Sequence, residues 1–179
     1  MLSPDFNRNY FELFDLQPSY QLDLAQLQLR QQSLQSDCHP DRFVNAGERE
    51  KRISVQMASW VNQAFETLSD PVKRANYLLE LGGLEARDES ETTSDTAFLM
   101  EQIELREEID ACRQSDDALD CCDRVAADLQ NRARLLSDEF LQQFDKGELT
   151  AARQISQKMQ FIQRIQQQLG ELQFELEDF

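Results

Sequence analysis

The chain has 179 residues, 29% of them charged and 40% hydrophobic, with only 5 glycines and 4 prolines, so it can bury a core of its own, and collagen-like, low-complexity and largely disordered classes are excluded. Its 34 acidic against 18 basic side chains leave a net charge of −16, which repels phosphate backbones and anionic lipid and argues against nucleic acid or a membrane surface as partner. No run approaches the ~18 apolar residues of a spanning helix, and the opening MLSPDFNRNY lacks the basic and apolar regions of a secretory signal, so the expected location is the cytoplasm.

A short aromatic segment, Tyr10-Phe11-Phe14-Leu16, comes first. Asp23 can then cap a helix whose apolar residues Leu24, Leu27, Leu34 and Cys38 recur at helical spacing, and Pro40 stops it. A second long helix is marked by Ile53, Met57, Trp60, Ala64 and Leu68 and ends at Ser69-Asp70-Pro71. Asp70 caps a third, with Pro71 in its first turn and Ala75, Leu78, Leu79 and Leu81 leading up to Gly82.

Charge shifts at that point. Residues 1–80 hold 8 basic and 11 acidic side chains, net −3, whereas residues 81–179 hold 10 and 23, net −13. Between the halves lies GGLEARDESETTSD, residues 82–95, with two glycines able to end a helix and an acidic stretch without periodicity. The expected organisation is a domain over 1–81, a linker over 82–94 and a second domain over 95–179.

Three helical patterns follow, over 95–113, about 117–144 and about 148–177, broken at Ser115-Asp116 and Lys146-Gly147. The middle one carries Ala118, Cys122, Val125, Leu129, Leu136, Phe140 and Phe144 on one stripe, and the last carries Ile155, Met159, Ile162, Leu169 and Leu176. Short connections favour an antiparallel three-helix bundle, which makes the chain all-α. In the first of these helices Phe98, Leu105, Ile109 and Cys112 suffice as a core stripe, and Leu99, Met100 and Ile103 form a second apolar face with Glu104, Arg106 and Glu107 around it. That second face either packs on the first domain or the linker, or receives a partner. Phe161 lies at the edge of its own helix's stripe.

The four cysteines, Cys38, Cys112, Cys121 and Cys122, make no C-x-x-C pair, and with His39 as the only histidine there is no zinc-ligand spacing. Cys112 and Cys122 fall on apolar stripes, where a free thiol acts as a small hydrophobe, so reduced, structural cysteines are expected.

The exposed tip of the first helical hairpin is His39-Pro40-Asp41. By itself the tripeptide also reads as an Asp N-cap beside a turn proline. As a docking element it offers an imidazole, a proline that limits the turn and a carboxylate able to accept charge-assisted hydrogen bonds. No serine or cysteine nucleophile, metal ligand or Gly-rich phosphate loop accompanies it, so no enzymatic activity is expected.

The segments YFELFDL, LDLAQLQLRQQSLQSDCHPDRF and VNQAFETLSDPVKRANYLL resemble helices one to four of a J-domain across residues 10–81. The resemblance implies that His39, Pro40 and Asp41 dock on a DnaK-type chaperone and trigger its ATP hydrolysis. Two features depart from the usual pattern: Arg30 is the only basic residue within 23–38, and Cys38 stands where such domains commonly have tyrosine. Arg42, with Arg49, Lys51 and Arg52 after the loop, either supplies part of the missing positive field or is solvated surface charge, and Arg30 and Arg42 are expected with the loop at the chaperone contact.

DTAFLMEQIELREEI resembles the opening helix of the C-terminal domain of the HscB family, J-type co-chaperones of iron–sulfur cluster assembly, and the likeness covers nearly the whole chain. It implies a second domain that binds the cluster scaffold IscU and delivers it to the specialised chaperone HscA, with no bound metal or cofactor. Leu99, Met100, Ile103 and Phe161 would then be the apolar scaffold-binding patch and Glu104, Arg106 and Glu107 its polar rim. The alternatives are a general J-protein serving DnaK with other clients, and a passive helical scaffold without effect on ATP turnover.

Overall fold

The first helices are set by their caps. The computed structural model describes residues 6–44, 46–84 and 96–177. Helix α1 (Tyr10–Leu13) opens with a reciprocal box, in which Asn9 Oδ1 accepts from the Glu12 amide and Glu12 Oε2 from the Asn9 amide, both at 2.9 Å. Asp23 Oδ1 accepts from the amides of Ala25 and Gln26 to start α2 (Leu24–Cys38). A 3-10 turn over Pro40–Phe43 leads to α3 (Glu48–Ser69), and Asp70 Oδ1, at 2.8 Å from the amides of Val72 and Lys73, starts α4 (Pro71–Leu81). The chain divides into two compact units, Met1–Leu78 and Leu79–Phe179.

In the first unit α3 is the central element and packs against α1, α2 and the 3-10 turn. Its buried stripe is Ser54, Met57, Val61, Ala64 and Leu68, a rotation of the expected one: Ile53 and Trp60 are only part-buried, and Trp60 instead takes the ring of Phe6 at 5.3 Å. Phe11, Phe14, Leu27, Cys38, Ala75 and Leu78 complete the core. Leu24 and Leu81, expected on buried stripes, are about half exposed; each is the terminal residue of its helix. The buried Arg74 closes the corner between α3 and α4 by donating to the Leu68 carbonyl and lying over the ring of Tyr20 at 5.1 Å.

Of the expected linker, residues 82–84 finish α4: Gly83, at φ +88°, lets the Leu84 amide reach the Leu79 carbonyl at 3.0 Å, while its own amide reaches Glu80 at 2.9 Å. Residues 85–94 lie outside the described residues.

The second unit consists of α5 (Thr96–Arg113), α6 (Ala118–Asp145) and α7 (Leu149–Glu177), within a residue of the expected spans. The same closing motif recurs at Gly147 (φ +76°), with Glu148 bonded to Gln143 and Gly147 to Phe144. Antiparallel pairing of α6 and α7 follows and is tied at the far end by Gln173 on Asp123 at 2.9 Å. Phe98, Leu105, Ile109 and Cys112 of α5, Cys122, Val125 and Leu129 of α6, and Phe161, Ile162, Ile165, Leu169 and Leu172 of α7 form one core.

One expectation is overturned here. Cys112 is not a free thiol but is bonded to Cys121, because the short turn sets the last turn of α5 beside the first turn of α6 with Cα atoms 5.3 Å apart. Cys38 and Cys122 are free and buried, and burial pushes both thiols above the usual cysteine range. Closing so short a loop is worth ~2.5 kcal/mol in the chain-entropy account. Dithiothreitol should therefore lower the Tm of the second unit by several degrees, and equal melting of the oxidised and reduced protein by circular dichroism would contradict the bridge.

Candidate functional site

Two places carry chemistry that packing does not consume, one in each unit. The first is the tip between α2 and α3. His39 ends α2 in an extended conformation (φ −61°, ψ 128°), as a residue before proline must. Pro40 then opens the 3-10 turn, and the structure describes it by its backbone. The Asp41 amide donates to His39 Nδ1 at 3.3 Å, and the Arg42 amide to the His39 carbonyl at 3.0 Å. With Nδ1 accepting, a neutral imidazole carries its proton on Nε2. The side chains of His39 and Asp41 are 58% and 85% exposed, and an Asp41 carboxylate oxygen lies 3.6 Å from Nδ1. The tip therefore presents a donor and a carboxylate side by side.

The two arginines expected beside this loop are both engaged within the protein. Arg42 turns back on α2, its Nη1 donating to the Ser36 carbonyl at 3.1 Å and pairing with Asp37 at 3.0 Å. Arg30 donates to the carbonyls of Phe14 and Asp15 and lies 3.6 Å from the Asp15 carboxylate. Each satisfies backbone groups that its surroundings leave without partners. Lys51 pairs with Glu48 at 3.1 Å, whereas Arg49 and Arg52 are exposed.

The second place is α5. Phe98, Leu105, Ile109 and Cys112 are buried, while Leu99, Met100 and Ile103 are 38%, 54% and 49% exposed. The two faces expected from spacing are thus both present. Glu104 and Glu107 are exposed beside the outer one. Phe161 differs from expectation: it is buried, edge-on to Phe98 at 5.5 Å with the Arg106 guanidinium over its ring at 5.5 Å. Its edge position on α7 puts it beneath α5, with the exposed Arg106 over it. Lys158 lies over the ring of Phe98 at 5.5 Å. On the side toward α6, Arg132 joins Glu101 of α5 and Asp128 of α6, both at 2.6 Å. The outer face of α5 is therefore carried on a helix held from two directions.

Among the described residues no group of three or more His, Cys, Asp or Glu side chains stands ready to hold a metal ion, and no helix is long and apolar enough to cross a membrane.

Residues 94–170 match the family model described as the HSCB C-terminal oligomerisation domain. A curated relative from Shewanella halifaxensis, named a co-chaperone protein HscB homolog, is 41% identical over 174 residues, covering 95% of this chain and 99% of that protein. Among solved structures, the chaperone HscB from Vibrio cholerae superposes with a TM-score of 0.86 at 34% identity, over 94% of this chain and 99% of its own. Human co-chaperone protein HscB gives 0.87 at 29% identity, over 95% and 84%.

Proposed function

The chain belongs to the HscB family of co-chaperones, and from that premise we propose that it binds the iron–sulfur cluster scaffold IscU, delivers it to an HscA-type chaperone in the cytoplasm and stimulates that chaperone's ATPase. Its fold is the one this work requires, an all-α N-terminal J-domain followed by a C-terminal helical bundle. In this reading residues 1–81 are the stimulating domain, with His39, Pro40 and Asp41 as the contact loop, and residues 95–179 hold the scaffold through Leu99, Met100 and Ile103, with Glu104, Arg106 and Glu107 at the rim. Phe161, Arg30 and Arg42 act by holding the two contact surfaces in place. The cluster is cargo, and the chain supplies no catalytic group.

The observation that carries this reading is the outer face of α5. Three large apolar side chains stand in solvent on a helix whose opposite face already fills a core, a combination expected of a binding surface. Joining that surface to the loop in one chain raises the scaffold's effective concentration at the chaperone without any new contact.

The test is the steady-state ATPase of an HscA-type chaperone with this protein, with IscU, and with both. Stimulation by this protein alone, rising further when IscU is added, is the expected result. Stimulation of DnaK in preference to HscA, or no additional effect of IscU, would replace the reading with that of a general J-protein, and no stimulation of either would leave a passive scaffold.

A further inference from the structure

We propose that Ser54, on α3, is the positioning residue of the His39-Pro40-Asp41 loop. The proposal rests on the reading of that loop as the element that stimulates the chaperone, and it concerns how this particular chain fixes the loop's direction.

The argument starts from the end of α2. The last carbonyls of a helix have no partner within it, and a glycine in the left-handed conformation commonly satisfies them, as Gly83 and Gly147 do elsewhere in this chain. No such residue is available at His39, because Pro40 holds it extended. Side chains take over instead. Arg42 reaches the Ser36 carbonyl from within the loop, the Cys38 thiol leans on the Gln35 carbonyl at 3.7 Å, and Ser54 Oγ donates to the Cys38 carbonyl at 2.7 Å.

Of these three, only the serine bond crosses to another helix. It is also the shortest, and it holds the peptide that joins Cys38 to His39. Ser54 is fully buried and is the one hydroxyl in a stripe otherwise made of Met57, Val61, Ala64 and Leu68. A buried serine in such a stripe is worse than alanine unless its hydroxyl has a partner. Its partner is the carbonyl immediately before the loop. Cys38, small and buried beneath the tip, leaves the direction of the following peptide to be set from α3, and Ser54 sets it.

Ser54→Ala should therefore leave the fold in place and raise the concentration for half-maximal stimulation of an HscA-type ATPase by about three- to tenfold, the factor that corresponds to one lost buried hydrogen bond. Amide hydrogen exchange at Asp41 and Arg42 should quicken, while exchange in α4 stays as it was. Leu68→Val, which trims the same stripe ~20 Å further along α3, supplies the control: it should lower the Tm at least as much and leave both the half-maximal concentration and loop exchange unchanged. Ser54→Thr keeps the hydroxyl and should recover most of what alanine loses; it also carries the test if the alanine variant does not fold.

Ser54→Ala with wild-type stimulation, while Asp41→Asn has none, would overturn the proposal and spare the functional reading. Equal losses in Ser54→Ala and Leu68→Val would overturn it as well, leaving the hydroxyl a stabilising contact only. Full stimulation by Asp41→Asn would remove the functional reading, and this proposal with it.

Discussion

Asp41→Asn is expected to abolish stimulation of the partner ATPase while leaving scaffold binding and the melting temperature almost unchanged. The Asp41 side chain is 85% exposed and its carboxylate makes no close hydrogen bond to a described residue, the imidazole of His39 being 3.6 Å away. What the fold uses at this position is the backbone amide, which donates to His39 Nδ1 and is retained in asparagine. Its stability should stay within about 0.5 kcal/mol of wild type, as for other exposed positions. The carboxylate itself is different. A hydrogen bond to a charged group is worth ~1.5–3 kcal/mol, and a bidentate pair with an arginine holds two of them in a fixed geometry, so the loss at the chaperone exceeds tenfold. His39→Gln should act through both partners of the tip, removing the Nδ1 acceptor that orders the Asp41 amide and the donor on the exposed ring. An ATPase assay over a range of co-chaperone concentrations, with IscU titrated calorimetrically into the same samples, checks both halves. Undiminished stimulation by either variant would sink the assignment of the loop.

The helices themselves are legible in the sequence because the signals that bound them are local. Asp23 and Asp70 cap and Gly83 and Gly147 turn the chain, each through a bond of its own backbone or side chain, while Pro40 and Pro71 limit it through a fixed φ and a missing N–H. The two faces of α5 are legible for the same reason: spacing alone fixes which residues share a face, and the structure buries one set and exposes the other.

What spacing does not encode is the direction of a long side chain or the identity of its neighbour. Phe161 at the edge of a stripe could point outward or beneath the next helix, and only the approach of Phe98 and Arg106 decides for the second. Arg30 and Arg42 read as free positive charge, yet both reach backbone carbonyls, because a carbonyl left without a partner is invisible in a sequence until the chain is folded. Ser54 is on the buried stripe of α3, which a polar side chain does not announce in a hydrophobic periodicity. The Cys112–Cys121 bridge follows no short motif and depends on a turn that brings two helix ends together.

The strongest separation of folding from binding is expected on α5, between Leu105 and Leu99. Leu105 is 2% exposed within the core of the second unit, so Leu105→Ala should lower stability by about 2–5 kcal/mol through lost burial and the cavity left behind. The cost lies at the upper end if Cys112, bonded to Cys121, keeps α5 from closing the void. Leu99 has the same side chain six residues earlier but stands 38% exposed, and Leu99→Ala should cost less than about 1 kcal/mol of stability. Its effect should appear at IscU instead, where an apolar anchor near the centre of an interface is worth ~1–4 kcal/mol, a loss of several-fold or more in affinity. Met100→Ala, at a more exposed position, should add to it. Truncating Phe161 belongs with Leu105 rather than with Leu99: the ring is buried under Phe98 and Arg106, so Phe161→Ala should lower the Tm first and weaken IscU binding only as α5 loses its seat. Stimulation of the chaperone in the absence of scaffold should survive in all of them, since none touches His39 or Asp41. Urea melts of each variant and calorimetric titration with IscU decide the matter. A Leu99→Ala protein that melts like Leu105→Ala, or that binds IscU like wild type, would show that the outer face of α5 is not the scaffold's surface.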